Sequence, residues 1–102
     1  MNRDYLDANR TPEERTEILL NEMTAEEKVG QMMQITCSIT DILRDGTDMT
    51  FVYSMMPEDE VRLWAQERCV GSFLHVLGDT ARAIQEMALS SRLGIPVLFG
   101  ID

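Results

Sequence analysis

The chain has 102 residues, 44% hydrophobic and 26% charged, with 18 acidic against 9 basic side chains and a net charge of −9. That is enough chain for a modest core in a single domain of ordinary globular composition. The negative balance repels phosphate backbones and anionic headgroups, which argues against nucleic-acid and membrane-surface partners.

The amino-terminal stretch Met1-Asn2-Arg3-Asp4-Tyr5-Leu6-Asp7 is polar, and no segment approaches the roughly 20 apolar residues of a membrane span, so a cytoplasmic product is expected. Two helix starts follow in nearly the same form. Thr11-Pro12-Glu13-Glu14 places Thr at the N-cap and Pro at the first helical position, and Thr24-Ala25-Glu26-Glu27 repeats the Thr-x-x-Glu capping box. Ile18, Leu19, Leu20 and Met23 on the first helix, and Val29, Met32 and Met33 on the second, form stripes suited to packing on a larger body.

From Gln34 to Ile39 apolar and polar residues alternate, which predicts a first strand. The stretch from Thr40 to Met56 has no clean period and is expected to be a long excursion. Pro57 then opens a helix whose inward face is Val61, Trp64, Ala65 and Cys69. Val70 to Leu77 is a near-continuous apolar strand, followed by a Gly78-Asp79 turn and a helix from Thr80 to Leu93 that buries Ile84, Met87, Ala88 and Ser91. Gly94 is placed as the glycine closing that helix. The apolar run Gly94 to Asp102 reads as a strand delivering one carboxylate at its carboxyl end.

Strands buried on both faces lose their polar alternation, so the last two are expected to be parallel and joined by a right-handed crossover. Helix, helix, strand, helix, strand, helix, strand is the opening of an α/β barrel or a doubly wound sheet. Three such strands alone leave two exposed edges, which predicts an incomplete, marginal unit. In parallel α/β folds ligands bind at the carboxyl ends of strands, which makes Asp102 the most suggestive functional residue.

Other signals carry less. Cys37 and Cys69 form neither a disulfide framework nor a CxxC motif and are expected to be reduced and structural. His75, inside an apolar strand without a neighbouring ligand, is expected to be a packed core histidine. Asp41, Asp45, Gly46 and Asp48 superficially resemble a calcium loop, but Leu43 and Val52 stand where oxygen donors are needed. Met23, Met32, Met33 and Met87 fall on packing faces, and Trp64 faces inward. Glu13-Glu14 and Glu26-Glu27 are helix caps rather than catalytic pairs. No GxGxxG, GxxxxGK[ST] or GxSxG occurs, so nucleotide binding and serine hydrolysis lack support, and neither cofactor nor metal is expected.

Tyr5-Leu6-Asp7, Glu13-Glu14-Arg15, Leu19-Leu20 and Met23-Thr24-Ala25-Glu26-Glu27-Lys28-Val29-Gly30-Gln31-Met32 together resemble the start of glycoside hydrolase family 3 enzymes, the β-glucosidases and their relatives. Val70 to Gly78 is similar to that family's second barrel strand, and Ser91-Arg92-Leu93-Gly94-Ile95-Pro96-Val97-Leu98-Phe99-Gly100-Ile101-Asp102 to its third. The resemblance covers nearly the whole chain except roughly residues 40–58. It implies the first part of a (β/α)8 TIM-type barrel with amino-terminal helices, normally followed by a second domain. It also implies a retaining glycosidase acting on terminal non-reducing β-linked sugars, with β-glucosides or β-linked oligosaccharides as substrates. The family's nucleophile, an Asp late in the barrel, and its acid/base, a Glu in the next domain, have no counterpart here, so no residue of this chain is assigned as catalytic and the chain alone is expected to be inactive. The resemblance carries over one substrate-binding residue, Asp102, as an acceptor for sugar hydroxyls. The competing expectation is a short non-catalytic α/β interaction module whose partner completes the sheet.

Overall fold

Thr11 opens the first long helix as its residue type and position predict: its hydroxyl accepts from the Glu14 backbone N–H at 3.2 Å, and Pro12 sits in the first turn. The computed structural model describes residues 1–36 and 57–101. A 3-10 turn at Asp4–Leu6 precedes α1 (Pro12–Glu22) and α2 (Ala25–Gln31). Then come β1 (Gln34–Thr36), α3 (Glu58–Arg62), a π-type segment (Leu63–Glu67), β2 (Ser72–Leu74), α4 (Gly78–Leu89) and β3 (Leu98–Gly100). The expectations for Cys37 to Ile39, for the excursion from Thr40 to Met56 with its acidic residues, and for Asp102 fall outside the described residues.

The three strands form one parallel sheet in the order β1-β2-β3. Gln34 pairs with Ser72 and Ser72 with Leu98; Thr36 pairs with Leu74 and Leu74 with Gly100. The fold is therefore mixed α/β with a parallel sheet, as the element order predicted.

β2 and β3 are shorter than the apolar runs that encode them. Val70–Leu77 was expected to be continuous strand, yet β2 ends at Leu74, because His75 adopts a left-handed φ of 67° that stops the ladder. α4 begins two residues earlier than expected and ends at Leu89, four residues short of Leu93. Gly94, at φ 68°, therefore does not close the helix; it turns the chain between Leu93 and Ile95, its N–H donating to Ser91 Oγ at 3.1 Å.

One face of the sheet carries the core. Phe73 is fully buried and stacks on Phe99, ring centroids 6.5 Å apart. Around them Val61, Ala65, Val70, Val76, Ile84, Met87, Ala88 and Val97 close a single cluster, with Ile35 packed against its edge. Each fully buried aliphatic or aromatic side chain there contributes about 1.5–3 kcal/mol. The opposite face, bearing Gln34, Thr36, Leu74, Leu98 and Gly100, has no helix over it among the described residues, and Leu98 is 75% exposed. Three strands without the rest of a sheet were expected to expose an apolar face, and among the described residues Leu98 does so.

A second, smaller core closes the amino ends of the strands. Tyr5, Cys69 and Leu93 are buried together, with Ile18, Leu19, Met23 and Ile95 packed around them. Two glycines allow this approach. A methyl group on Gly30 would lie 2.0 Å from the Arg68 carbonyl oxygen, and one on Gly71 would lie 2.1 Å from that of Gln31. Between them the Gly71 N–H donates to the Gly30 carbonyl at 2.9 Å. Hence α2 meets the sheet through its glycine rather than its apolar stripe. Val29 and Met32, expected to pack, are 52% and 80% exposed, and only Met33 of that stripe reaches the main core.

Candidate functional site

The sheet has two unlike ends. At the amino end α1, α2 and the 3-10 turn are fastened to the segments entering β2 and β3. The Tyr5 hydroxyl donates to the Leu93 carbonyl at 2.7 Å, and Arg15 Nε donates to the Tyr5 carbonyl at 2.7 Å. Arg92 donates from Nε to Glu27 Oε2 at 3.1 Å, makes a second bond to Glu27 Oε1, and reaches the Glu22 carbonyl at 2.8 Å. Glu27 also accepts from the Thr24 N–H at 2.9 Å, completing the capping box predicted for it. Burial opposes the charge on Glu27, but the bonds from Arg92 and Thr24 outweigh it and hold the carboxyl below its ordinary range. The hydrogen bond to Glu27 raises Arg92 in turn.

The carboxyl end is assembled differently. Thr36, Leu74 and Gly100 stand in register as the last residues of β1, β2 and β3. The His75 N–H donates to the Gly100 carbonyl at 2.9 Å, extending the β2–β3 contact one residue past the ladder. On the bare face, a methyl group on Gly100 would lie 3.2 Å from Leu74 Cδ1 and 3.6 Å from Gln34 Nε2. The Leu74 side chain thus covers Gly100, and the Gln34 amide reaches beside it from two strands away. Asp102, the residue predicted to bind substrate, follows Gly100 by two positions in sequence and lies outside the described residues.

His75 departs from its expected place. It is half-buried in the turn after β2, not packed inside a strand, while its neighbour Val76 is 1% exposed and anchors that turn to the core. Among the described residues no group of three His, Cys, Asp or Glu side chains is arranged to hold a metal ion. No helix among them is long and apolar enough to cross a membrane.

The remaining candidates settle into packing or capping. Trp64 leans on the main core and the Arg68 guanidinium lies 4.5 Å from its ring centroid, so one face of the indole is occupied by a cation. Cys69 is buried, its thiol pushed up by that burial and touched by Gln31 Nε2 at 3.4 Å, which makes it a poor nucleophile. Glu14 and Glu27 sit at the third positions of α1 and α2 as caps, though only α2 completes the box. A groove between α2 and the π-type segment, lined by Val29, Gly30, Met33, Leu63, Trp64 and Arg68, lies beside the amino-end contact of Gly30 with Arg68 and not at the carboxyl ends of the strands.

No family model and no curated protein matches this chain. The geometry of the two ends therefore carries the functional reading. Two of its residues escaped sequence reasoning: Gln34 and Thr36 were seen only as the polar half of an alternating strand. The signal was there, because the same alternation that turns Ile35 toward the core puts both on the face that carries Gly100.

Proposed function

We propose that this chain forms the opening part of the (β/α)8-type barrel domain of a retaining β-glycosidase, a β-glucosidase or β-xylosidase of the glycoside hydrolase family 3 kind. The observation that carries the reading is the asymmetry of the parallel sheet. Its amino end is sealed by α1 and α2, and its carboxyl end, where barrel enzymes bind substrate, is left to Thr36, His75, Gly100 and the Asp102 that follows. The bare face supports a barrel interior, since parallel sheets are covered on both sides and a barrel covers the second side with its own remaining strands.

On this reading Asp102 accepts hydrogen bonds from hydroxyls of the terminal sugar, and its charge shortens and strengthens those bonds relative to a neutral acceptor. Nucleophilic attack at the anomeric carbon and proton transfer to the leaving oxygen fall to carboxyl groups supplied by the rest of the protein. The chain's own contribution is to position the glycone.

The test is hydrolysis of p-nitrophenyl β-D-glucopyranoside and β-D-xylopyranoside by the product of the complete reading frame, wild type against Asp102→Asn. Turnover is expected, with kcat/KM lowered about 10²- to 10³-fold by the substitution, the worth of one or two charged hydrogen bonds. Absence of turnover in the wild type on β-linked sugars would sink the reading. The exposed Leu98 and Ile101 favour one other account, an interaction module whose partner lies over the bare face. A stable complex in place of turnover would identify it.

A further inference from the structure

We propose that Gln85 is a positioning residue of the glycosidase site: its side-chain amide fixes the start of β3 and so sets where the Asp102 carboxylate meets the terminal sugar. This rests on the glycosidase reading and adds to it a residue that touches no substrate.

Gln85 lies on α4, and its amide holds one backbone residue in both directions. Nε2 donates to the Val97 carbonyl at 3.0 Å, and Oε1 accepts from the Val97 N–H at 2.8 Å. A side-chain amide has both a donor and an acceptor, so it does for Val97 what a neighbouring strand would do. Each end of the clamp is itself held. Ile84 and Ala88 on α4 are buried in the main core, and Val97, 3% exposed, is buried in the same cluster.

The place of the clamp decides what it controls. Between the end of α4 at Leu89 and the start of β3 at Leu98 the chain forms no helix or strand, and Gly94 turns it at φ 68°. Val97 is the last residue of that irregular link. The next residue, Leu98, donates its N–H to the Gly71 carbonyl at 3.0 Å, and the Gly100 carbonyl accepts from the His75 N–H at 2.9 Å. Backbone groups alternate sides along a strand, so with Leu98 and Gly100 bonded toward β2 those of Val97 face away from it. The sheet therefore does not hold Val97, and the Gln85 amide does. A slip of one residue turns every side chain of a strand to the other face. Asp102 follows Val97 by five positions, so an error in register at the clamp is carried to the carboxylate.

The experiment is a double-mutant cycle in the product of the complete reading frame: wild type, Gln85→Met, Asp102→Asn and the two together. Each is assayed on p-nitrophenyl β-D-glucopyranoside and β-D-xylopyranoside, with thermal melting alongside. Methionine keeps the length of the side chain and removes both bonds. In the wild-type background it is expected to lower kcat/KM about tenfold, the worth of a slightly misplaced binding group. In the Asp102→Asn background the loss should shrink to about twofold or less, because a positioning residue acts only through the group it positions. Gln85→Glu keeps the comparison available if the methionine variant folds poorly, since its carboxylate still accepts from the Val97 N–H but cannot donate to the carbonyl. Unchanged kcat/KM in a well-folded variant, or an equal loss with and without the Asp102 carboxylate, would overturn the proposal and leave Gln85 a structural tie. A wild type inactive on both sugars would instead overturn the glycosidase reading, and an active enzyme indifferent to Asp102→Asn the role given to Asp102, each taking this inference with it.

Discussion

The amino and carboxyl ends of this sheet are built from the same three strands by opposite means. At the amino end long-range contacts tie the pieces together: Gly30 and Gly71 let two backbones touch, Tyr5 and Leu93 share a buried hydrogen bond, and Arg92 gathers Glu27 and Glu22. At the carboxyl end the closest packing stops at Phe73 and Val76, and what stands beyond is Gly100 under the Leu74 side chain and a histidine in a left-handed turn. Long-range contacts are concentrated at the amino end, and the carboxyl end has the half-buried His75 and the exposed Thr36. On the barrel reading proposed above this is a division of tasks, with residues at the amino face serving the fold and residues at the carboxyl face serving the chemistry.

That division can be broken from the amino end first. Gly71→Ala would place a methyl group 2.1 Å from the Gln31 carbonyl oxygen, a backbone atom that cannot rotate away. A loss of about 3 kcal/mol or more is expected in urea unfolding, at the upper end of what overpacking costs, with the carboxyl-end residues untouched. A loss below about 0.5 kcal/mol would mean that the glycine contact is not needed to seal this end. Tyr5→Phe is milder. It leaves the buried Leu93 carbonyl without its 2.7 Å partner and should cost about 1–2 kcal/mol, read as a lowered melting temperature with the fold retained.

The smallest effect is the acid response of Glu27. Its carboxyl is held below the ordinary value of 4.5, so the stability it contributes is fully present above that value and is lost as pH falls through the lowered one. Partial exposure and screening keep this contribution under about 1 kcal/mol. Glu27→Gln should therefore flatten the acidic limb of a stability-against-pH curve below about pH 4.5 and leave its slope at neutral pH unchanged.

Much of this was legible in the residues, and the exceptions share a cause. Capping boxes are local, so Thr11, Thr24 and Glu27 announced their helices and the structure places them as read. The inward faces of α3 and α4 were legible because Val61, Ala65, Ile84, Met87 and Ala88 repeat at helical spacing. What could not be read was set by partners distant in sequence. The exposure of Val29 and Met32 follows from α2 docking through Gly30 on Arg68, and an apolar stripe gives no sign of which neighbour displaces it. The early end of β2 has a similar source: nothing in Leu74-His75-Val76 forecasts a left-handed histidine, because the conformation is held by a bond to Gly100. Asp102 was legible as a candidate by its place after an apolar strand, whereas Gln34 and Thr36 needed the register with Gly100 before their face acquired meaning.

The seal at the amino end also imposes an order on synthesis. Tyr5 and Arg15 leave the ribosome early, yet the carbonyl that Tyr5 must meet belongs to Leu93, 88 positions later, and the carboxylate of Glu27 waits 65 positions for Arg92. At about 5–20 residues per second the first helices spend several seconds as tethered segments before their partners exist. Contacts of such long sequence separation form late and slowly, so the part of this chain made first is fastened only once nearly all of it has been made.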